Sequence, residues 1–192
     1  MEFILVLTFF IIFFCTAFVV PTLRVYKLNK VNPITFQSSD SAHDLIGKYM
    51  KLLMILVFIS ALSYEFFKFT EFFNNSEAYI CGWFLMISSL IFMSVAQMQM
   101  KDSWRIGIDE KQVTVLRTDG IFGFTRNPIF AATIVALTGN FLVYSTVLNL
   151  ILLIFGIVLV SIQIRLEEEH LYKIHKEKYL DYKNKVKRRL FI

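Results

Sequence analysis

The chain has 192 residues, of which 56% are hydrophobic and only 18% are charged, whereas a typical soluble domain has about 25% charged residues. The apolar residues form runs long enough to cross a bilayer, so the composition excludes an ordinary soluble domain and indicates an all-α integral membrane protein. The formal net charge of +5 therefore reports membrane orientation first and gives no reason to expect nucleic-acid binding.

Three apolar runs predict three membrane helices within residues 1–98. They cover approximately Phe3–Leu23, Leu52–Tyr64 and Ala78–Met98. A polar stretch, Gln99–Asn127, follows them. We therefore treat residues 1–192 as a single membrane domain, in which residues 99–192 hold a polar loop, a helical hairpin and a C-terminal tail.

The last apolar run, Pro128–Leu166, is predicted to cross the membrane twice. About 39 helical residues span roughly 58 Å, which is close to twice the thickness of the hydrocarbon layer. Gly139, Asn140 and Ser145 are compatible with a turn near the middle of this run. The sequence thus predicts about five transmembrane helices, the last two of which form a hairpin.

The tail that follows the hairpin is predicted to form an amphipathic helix. Its apolar positions recur at spacings of three to five residues, at Leu166, Leu171, Ile174, Tyr179 and Tyr182.

The basic residues predict the orientation of the chain. Five crossings place the segments Arg24–Lys51, Gln99–Arg126 and Arg165–Ile192 on the same side, and these segments hold 19 of the 20 lysines and arginines. Because basic residues are concentrated in cytoplasmic segments, we expect an N-terminus that faces outward and a cytosolic tail.

Two polar groups flank the predicted hairpin. Arg126 and Asn127 precede Pro128, a residue suited to the first turn of a helix, and Glu167 and Glu168 follow the second crossing. Since a hairpin returns the chain to its starting side, we expect the two groups to be neighbours. Each has a simpler interpretation, because Arg126 could be a membrane-surface anchor and the glutamates a solvated charge run.

Five short motifs follow one another in the C-terminal part of the chain. They are GIF at Gly120–Phe122, RNPIF at Arg126–Phe130, EEEHL at Glu167–Leu171, YLDY at Tyr179–Tyr182 and KRR at Lys187–Arg189. This ordered set, with a hairpin between the second and third motifs, resembles the superfamily of isoprenylcysteine carboxyl methyltransferases and phospholipid N-methyltransferases. The resemblance covers about Trp104–Arg189.

The resemblance implies that S-adenosylmethionine is the methyl donor and cofactor. It implies donor-binding roles for Gly120, Phe122, Asn127, Pro128, Phe130, Glu167, Glu168 and Tyr179, and a catalytic role beside the acceptor for Arg126. The two glutamates suit the cationic groups of the donor. The implied acceptor is a lipidic or prenylated molecule that presents a carboxylate, amine or thiol at the cytosolic membrane face, with membrane lipids as partners and no metal.

The chain departs from the usual motif at two positions. Asn127 stands where the superfamily usually has histidine, and Phe130 where it usually has tyrosine. Asparagine cannot titrate near neutral pH, so Asn127 is expected to bind and position groups and not to transfer protons. The variant is similar to a bacterial branch of the superfamily, which suggests the bacterial inner (plasma) membrane.

Two other functions are compatible with the pattern. Membrane sterol and steroid reductases also end in a hairpin with a related motif, but they use a reduced nicotinamide cofactor such as NADPH. Alternatively, the chain could be a non-catalytic membrane protein that binds lipids through its basic tail.

Overall fold

The structure is a computed structural model that describes residues 2–29, 42–64, 66–67, 69–104 and 115–188. Within these ranges the regular structure is helical, and the only β-type pairing is an isolated bridge between Glu71 and Thr146. The helices are α1 Glu2–Phe14, α2 Val20–Asn29, α3 Ala42–Tyr64, α4 Ser76–Met100, α5 Pro128–Val143, α6 Val147–His175 and α7 Glu177–Lys185. The prediction of an all-α protein is confirmed.

Four helical stretches in the described ranges are long and apolar enough to cross a membrane. They are Phe3–Lys27, Ala42–Tyr64, Ser76–Met100 and Val147–His175. The first contains α1 and α2, which a π-helical segment, Cys15–Val19, joins. The fourth predicted membrane helix, α5, is apolar but has only 16 residues and spans about 24 Å. The chain is an integral membrane protein, and its described residues contain four full-length candidate spans and one shorter apolar helix.

The hairpin is present, and its turn lies at the last of the three turn-compatible residues. α5 continues to Val143, so Gly139 and Asn140 are buried helix residues, and Ser145 lies in the connection to α6. Gly139 is needed where α4 and α5 meet closely, because a Cβ atom at this position would lie 2.6 Å from the carbonyl oxygen of Gly82. Small residues that allow such a close approach are typical of helix contacts in membranes.

Asn140 belongs to a polar cluster that joins α3, α5 and α6. The side-chain oxygen of Asn149 accepts hydrogen bonds from the Asn140 amide at 3.1 Å and from the Ser60 hydroxyl at 2.8 Å. The Asn149 amide donates to the Thr146 hydroxyl at 3.1 Å. A buried polar group without a partner would cost free energy, so this cluster favours one arrangement of the three helices.

The helix ends gather at two opposite ends of the bundle. At the turn end, α3 finishes, α4 begins and the α5–α6 connection lies, with the Phe72 N–H donating to the Ser145 carbonyl at 2.8 Å. At the tail end, α3 and α5 begin, and α4 and α6 finish. The predicted tail helix is divided at Lys176, which has φ +46°, into the end of α6 and the separate helix α7.

We expect the Gly139→Ala variant to be less stable than the wild type. Alanine has a higher helix propensity than glycine by about 1 kcal/mol, but its methyl group here meets the backbone of Gly82, and overpacking typically costs about 1–3 kcal/mol. Thermal unfolding in detergent would measure the difference. Gly123→Ala is the matched control, because its Cβ atom would have its nearest neighbour at 3.6 Å. Equal Tm values for the two variants would contradict the close packing.

Candidate functional site

Arg126 and Asn127 lie between a 3-10 segment, Gly120–Gly123, and the start of α5. Pro128 occupies the first turn of α5, as predicted, and is buried. The Asn127 side chain forms no capping hydrogen bond with the helix. It is 5% exposed and points instead to partners from α6 and the tail. This segment therefore directs the side chains of Arg126 and Asn127 toward α6 and the tail at the point where α5 begins.

The Glu168 carboxylate accepts hydrogen bonds from three other side chains at the tail end. Its Oε1 atom accepts from Arg126 Nε at 3.1 Å, from Arg126 Nη2 at 3.0 Å and from Asn127 Nδ2 at 3.1 Å. Its Oε2 atom accepts from Arg188 Nε at 3.0 Å and Nη2 at 2.8 Å. The side chains of Arg126 and Glu168 are 6% and 7% exposed, so this ion pair is buried. The expected proximity of Arg126–Asn127 and Glu168 is thus present in the structure.

The end of α7 and the chain that follows it close over this ion pair. Arg126 Nη1 donates to the carbonyl oxygens of Lys183 at 2.9 Å and Val186 at 2.5 Å, and its backbone N–H donates to the carbonyl of Lys187 at 3.0 Å. The carbonyl of Arg188 accepts from Asn127 Nδ2 at 3.1 Å. We call the segment from Lys183 to Arg188 the tail strap. It satisfies the donors of Arg126 that Glu168 does not reach.

The loop before Arg126 packs against α7 through three buried aromatic residues. Phe122, Tyr179 and Tyr182 form one cluster, in which the Tyr182 hydroxyl donates to the Phe122 carbonyl at 2.6 Å. Burial raises the pKa of Tyr182 above its usual range. Burial, with a contribution from the Glu168 carboxylate, raises the pKa of Tyr179 to about 12. Both phenols are therefore neutral near pH 7, and the buried Tyr179 hydroxyl has no well-aligned hydrogen-bond partner in the described part of the chain.

Gly120 allows the loop to turn beside the end of α4. Its φ of +57° is unfavourable for other residues, and a Cβ atom there would lie 2.4 Å from the side-chain oxygen of Gln99. The same Gln99 oxygen accepts a hydrogen bond from the Ile121 N–H at 2.8 Å. Gln99 therefore holds the loop that carries Phe122.

The three consecutive glutamates of α6 have different surroundings, because helical residues point about 100° apart. Glu168 is buried in the ion pair. Glu169 is exposed and pairs with Lys173 at 2.8 Å. Glu167 is partly buried and forms no hydrogen bond or ion pair with any residue that the structure describes. Of the three, Glu167 has the carboxylate that is available to another cation.

A cleft of about 260 Å³ opens beside the ion pair, between α6, α7 and the tail strap. Glu168, Tyr179 and Arg188 contribute to its walls. Phe130, another predicted site residue, lies in the first turn of α5 and is partly buried. The described residues contain no group of three or more histidine, cysteine, aspartate or glutamate side chains that could hold a metal ion.

Two residues that hold the site together, Arg188 and Gln99, could not be identified from the sequence pattern. Arg188 was part of the basic motif at the end of the tail, but its pairing with Glu168, 20 residues earlier, follows only from the fold. Gln99 carries a weak signal, since it is a polar residue at the end of an apolar run. Arg105 to Thr114, which the resemblance includes, lie outside the described residues.

We expect Glu168→Gln to destabilise the protein strongly. The substitution leaves the buried guanidinium of Arg126 without its counterion, and removing one partner of a buried ion pair typically costs about 3–5 kcal/mol. Thermal unfolding in detergent should show a Tm several degrees below that of the wild type. Glu169→Gln removes the same charge from the adjacent, exposed position and should leave the Tm unchanged. A Glu168→Gln variant with the wild-type Tm would contradict this assignment.

Comparison with known proteins assigns the family. No curated protein gives a significant match to the chain. The family model described as phospholipid methyltransferase matches residues 77–178, which is just over half of the chain. The match extends from α4 through the hairpin to the start of α7 and includes Arg126, Asn127, Glu167 and Glu168. The chain therefore belongs to the phospholipid methyltransferase family and is an integral membrane protein of the methyltransferase type.

Proposed function

We propose that the protein transfers a methyl group from S-adenosylmethionine to a lipidic or prenylated acceptor at the cytosolic face of the membrane. The observation that carries this proposal is the contact of Arg126 and Asn127 with Glu168 of α6 at the tail end, within the region that the family model matches. It brings the charges of Arg126 and Glu168, and the loop that carries Phe122, to the start of the short apolar helix α5.

The residues at the tail end fit the charged groups of the donor. S-adenosylmethionine supplies a methyl group activated by a positively charged sulfur, and it also carries an ammonium and a carboxylate. We assign the contact with a positive group to Glu167, whose carboxylate has no partner among the described residues. Glu168, which is already surrounded by two arginines and Asn127, contributes to binding by holding these groups in place. Gly120, Phe122, Pro128, Phe130 and Tyr179 would form the surrounding pocket.

Arg126 is the proposed catalytic residue, with the role of orienting an anionic group of the acceptor. Each of its guanidinium nitrogens already has a hydrogen-bond partner. A direct contact with the acceptor therefore requires the carbonyls of Lys183 and Val186 in the tail strap to release Nη1. The main catalytic demand is alignment of the reacting atoms, together with a site that does not favour the charged ground state.

The short length of α5 supports a lipidic acceptor. Its 16 residues span about 24 Å, less than the roughly 30 Å of hydrocarbon in a bilayer. One end of a helix of this length lies inside the hydrocarbon layer, and we assign this position to the start of α5, which brings Arg126 close to the depth that an acyl or prenyl chain occupies. An apolar acceptor could reach this position from the lipid, while the donor arrives from the aqueous side.

The decisive experiment is transfer of labelled methyl from S-adenosylmethionine to a native lipid extract by the purified protein, followed by identification of the labelled product. A labelled lipid supports the proposal. Thermal shifts with S-adenosylhomocysteine and with NADPH distinguish the alternatives: stabilisation by NADPH alone would favour the reductase, and stabilisation by neither, with no labelled product, would favour a non-catalytic protein.

Glu167→Gln is expected to weaken S-adenosylmethionine binding at least tenfold, because a charge-assisted contact is worth about 1.5–3 kcal/mol. Calorimetric titration of the purified variant would measure the dissociation constant. The Tm should not fall, since Glu167 has no partner to lose among the residues that the structure describes. Glu169→Gln, on an exposed face of the same helix, is the control and should bind the donor as the wild type does. An unchanged dissociation constant for Glu167→Gln would refute the assigned contact.

We also propose that the tail end is cytosolic, because nearly all lysines and arginines lie in the segments that meet there. In a variant without Cys15 and Cys81, single cysteines at Ser76 and at Lys178 probe the turn end and the tail end. Both positions are exposed. A membrane-impermeant maleimide applied to spheroplasts of an expressing bacterium should label the cysteine at 76, and label that at 178 only after permeabilisation. The reverse pattern would invert the proposed orientation.

A further inference from the structure

A second cavity lies at the turn end, on the opposite side of the bundle from Glu168. Its volume is about 210 Å³, and its walls include Glu71, Asn75 and the aromatic residues Tyr64, Phe73, Tyr79 and Tyr144. The length of α5, about 24 Å, separates this end from Arg126. The cavity is therefore not part of the proposed methyl-transfer site.

The aromatic walls of this cavity are held in place by the fold. The Tyr144 residue, where α5 ends, is 3% exposed. Its ring centroid lies 4.9 Å from that of Tyr64, with 59° between the ring planes, and Tyr64 also stacks on Phe69 at 6.2 Å. The faces of aromatic rings carry negative electrostatic potential, and groups of such rings recognise quaternary ammonium ions.

The cavity also has a carboxylate, that of Glu71, for which the described residues supply no cationic partner. The Glu71 side chain accepts a hydrogen bond from the Tyr64 hydroxyl and forms no ion pair within the described ranges. Its backbone is fixed by the bridge to Thr146 and by the adjacent hydrogen bond from Phe72 to Ser145. A fixed negative charge beside several tyrosine rings is an arrangement that attracts an organic cation.

We propose that this cavity binds a small organic ammonium group, with Glu71 as counterion and the tyrosine rings as walls. A volume of 210 Å³ equals about seven water molecules in the liquid, which is enough space for an ethanolamine-type or choline-type group. Phe66, Phe67 and Phe72 around the same end are 71%, 66% and 56% exposed, and exposed aromatic residues are typical of the membrane–water interface. At this depth a zwitterionic lipid headgroup is the nearest source of the ammonium, and a free organic ammonium ion offers the same chemistry.

The proposal does not depend on the methyl-transfer activity. Short-chain dihexanoyl phosphatidylcholine and phosphatidylethanolamine should bind to the detergent-purified protein, as measured by titration in native mass spectrometry. Dihexanoyl phosphatidylglycerol, which lacks an ammonium group, should bind at least tenfold more weakly. Glu71→Gln retains an oxygen that can accept from Tyr64 but removes the charge, and it should weaken phosphatidylcholine binding at least tenfold.

Two matched variants separate charge recognition from structural support. Glu77→Gln removes an exposed charge near the start of α4, outside the cavity wall, and should bind phosphatidylcholine as the wild type does. Tyr64→Phe removes the hydrogen bond to Glu71 but retains the ring and the charge, and should retain binding. Competition by choline chloride at millimolar concentration would identify free ammonium ions as ligands of the site, whereas its absence would identify the lipid headgroup.

Two results would overturn the ammonium site. The first is wild-type affinity for phosphatidylcholine in Glu71→Gln, and the second is equal loss of affinity in Tyr64→Phe and Glu71→Gln, which would mean that the hydrogen bond only supports the fold. Stabilisation of each variant by S-adenosylhomocysteine, measured separately, would show that the tail end remains intact. Phosphatidylcholine binding thus tests the ammonium site, and stabilisation by S-adenosylhomocysteine tests the methyltransferase assignment, so either proposal can be refuted without the other.

Discussion

The buried carboxylate of Glu168 is the constraint on which the tail end of the structure depends. An ionised carboxylate inside a protein must receive hydrogen bonds, or its burial is too costly. Arg126, Asn127 and Arg188 supply five of them. Two of these donors precede Glu168 by about 40 residues and one follows it by 20. Burial of the ionised Glu168 carboxylate therefore requires contact between the start of α5, the C-terminal part of α6 and the tail strap.

The hairpin is fixed at its two ends by different kinds of polar contact. At the turn end, neutral groups around Asn149 join α3, α5 and α6. At the tail end, the Glu168 ion pair joins α5, α6 and the strap. A buried ion pair is often not a net source of stability, but breaking it is costly, so it can specify one arrangement of the chain. The ion pair lies at the tail end, which agrees with the sequence, because 19 of the 20 lysines and arginines lie in the three segments that are expected on that side.

The apolar runs made the helices and the hairpin predictable. The length of an apolar run shows how many times it can cross the membrane, and two crossings bring the chain back to the side on which it started. Neither conclusion depends on contacts between distant residues. The exact position of the turn did not follow from the local sequence, because only one of the three turn-compatible residues, Ser145, lies in it. Gly139 and Asn140 have turn propensity, but here packing against Gly82 and a hydrogen bond to Asn149 keep them in a helix. Tertiary contacts thus override local preference where α4, α5 and α6 meet.

The candidate site was predictable only in part, for a similar reason. A hairpin necessarily brings its two ends together, so the neighbourhood of Arg126 and the α6 glutamates could be expected from the sequence. Which glutamate pairs with Arg126 depends on the rotation of α6, and adjacent residues differ by about 100°. The contribution of Arg188 depends on the path of the strap, because the break at Lys176 turns the chain back toward α5.

The exchange of histidine for asparagine in the RNPIF motif is explained by the same contacts. Asn127 Nδ2 has two hydrogens, and it donates one to Glu168 and one to the carbonyl of Arg188. Both partners are acceptors, so the nitrogen of the amide and not its oxygen must face them. A neutral histidine has a single N–H and could satisfy only one of these two acceptors. Asparagine therefore gives up a titratable group at this position and gains a second donor, which joins the α6 carboxylate to the tail strap.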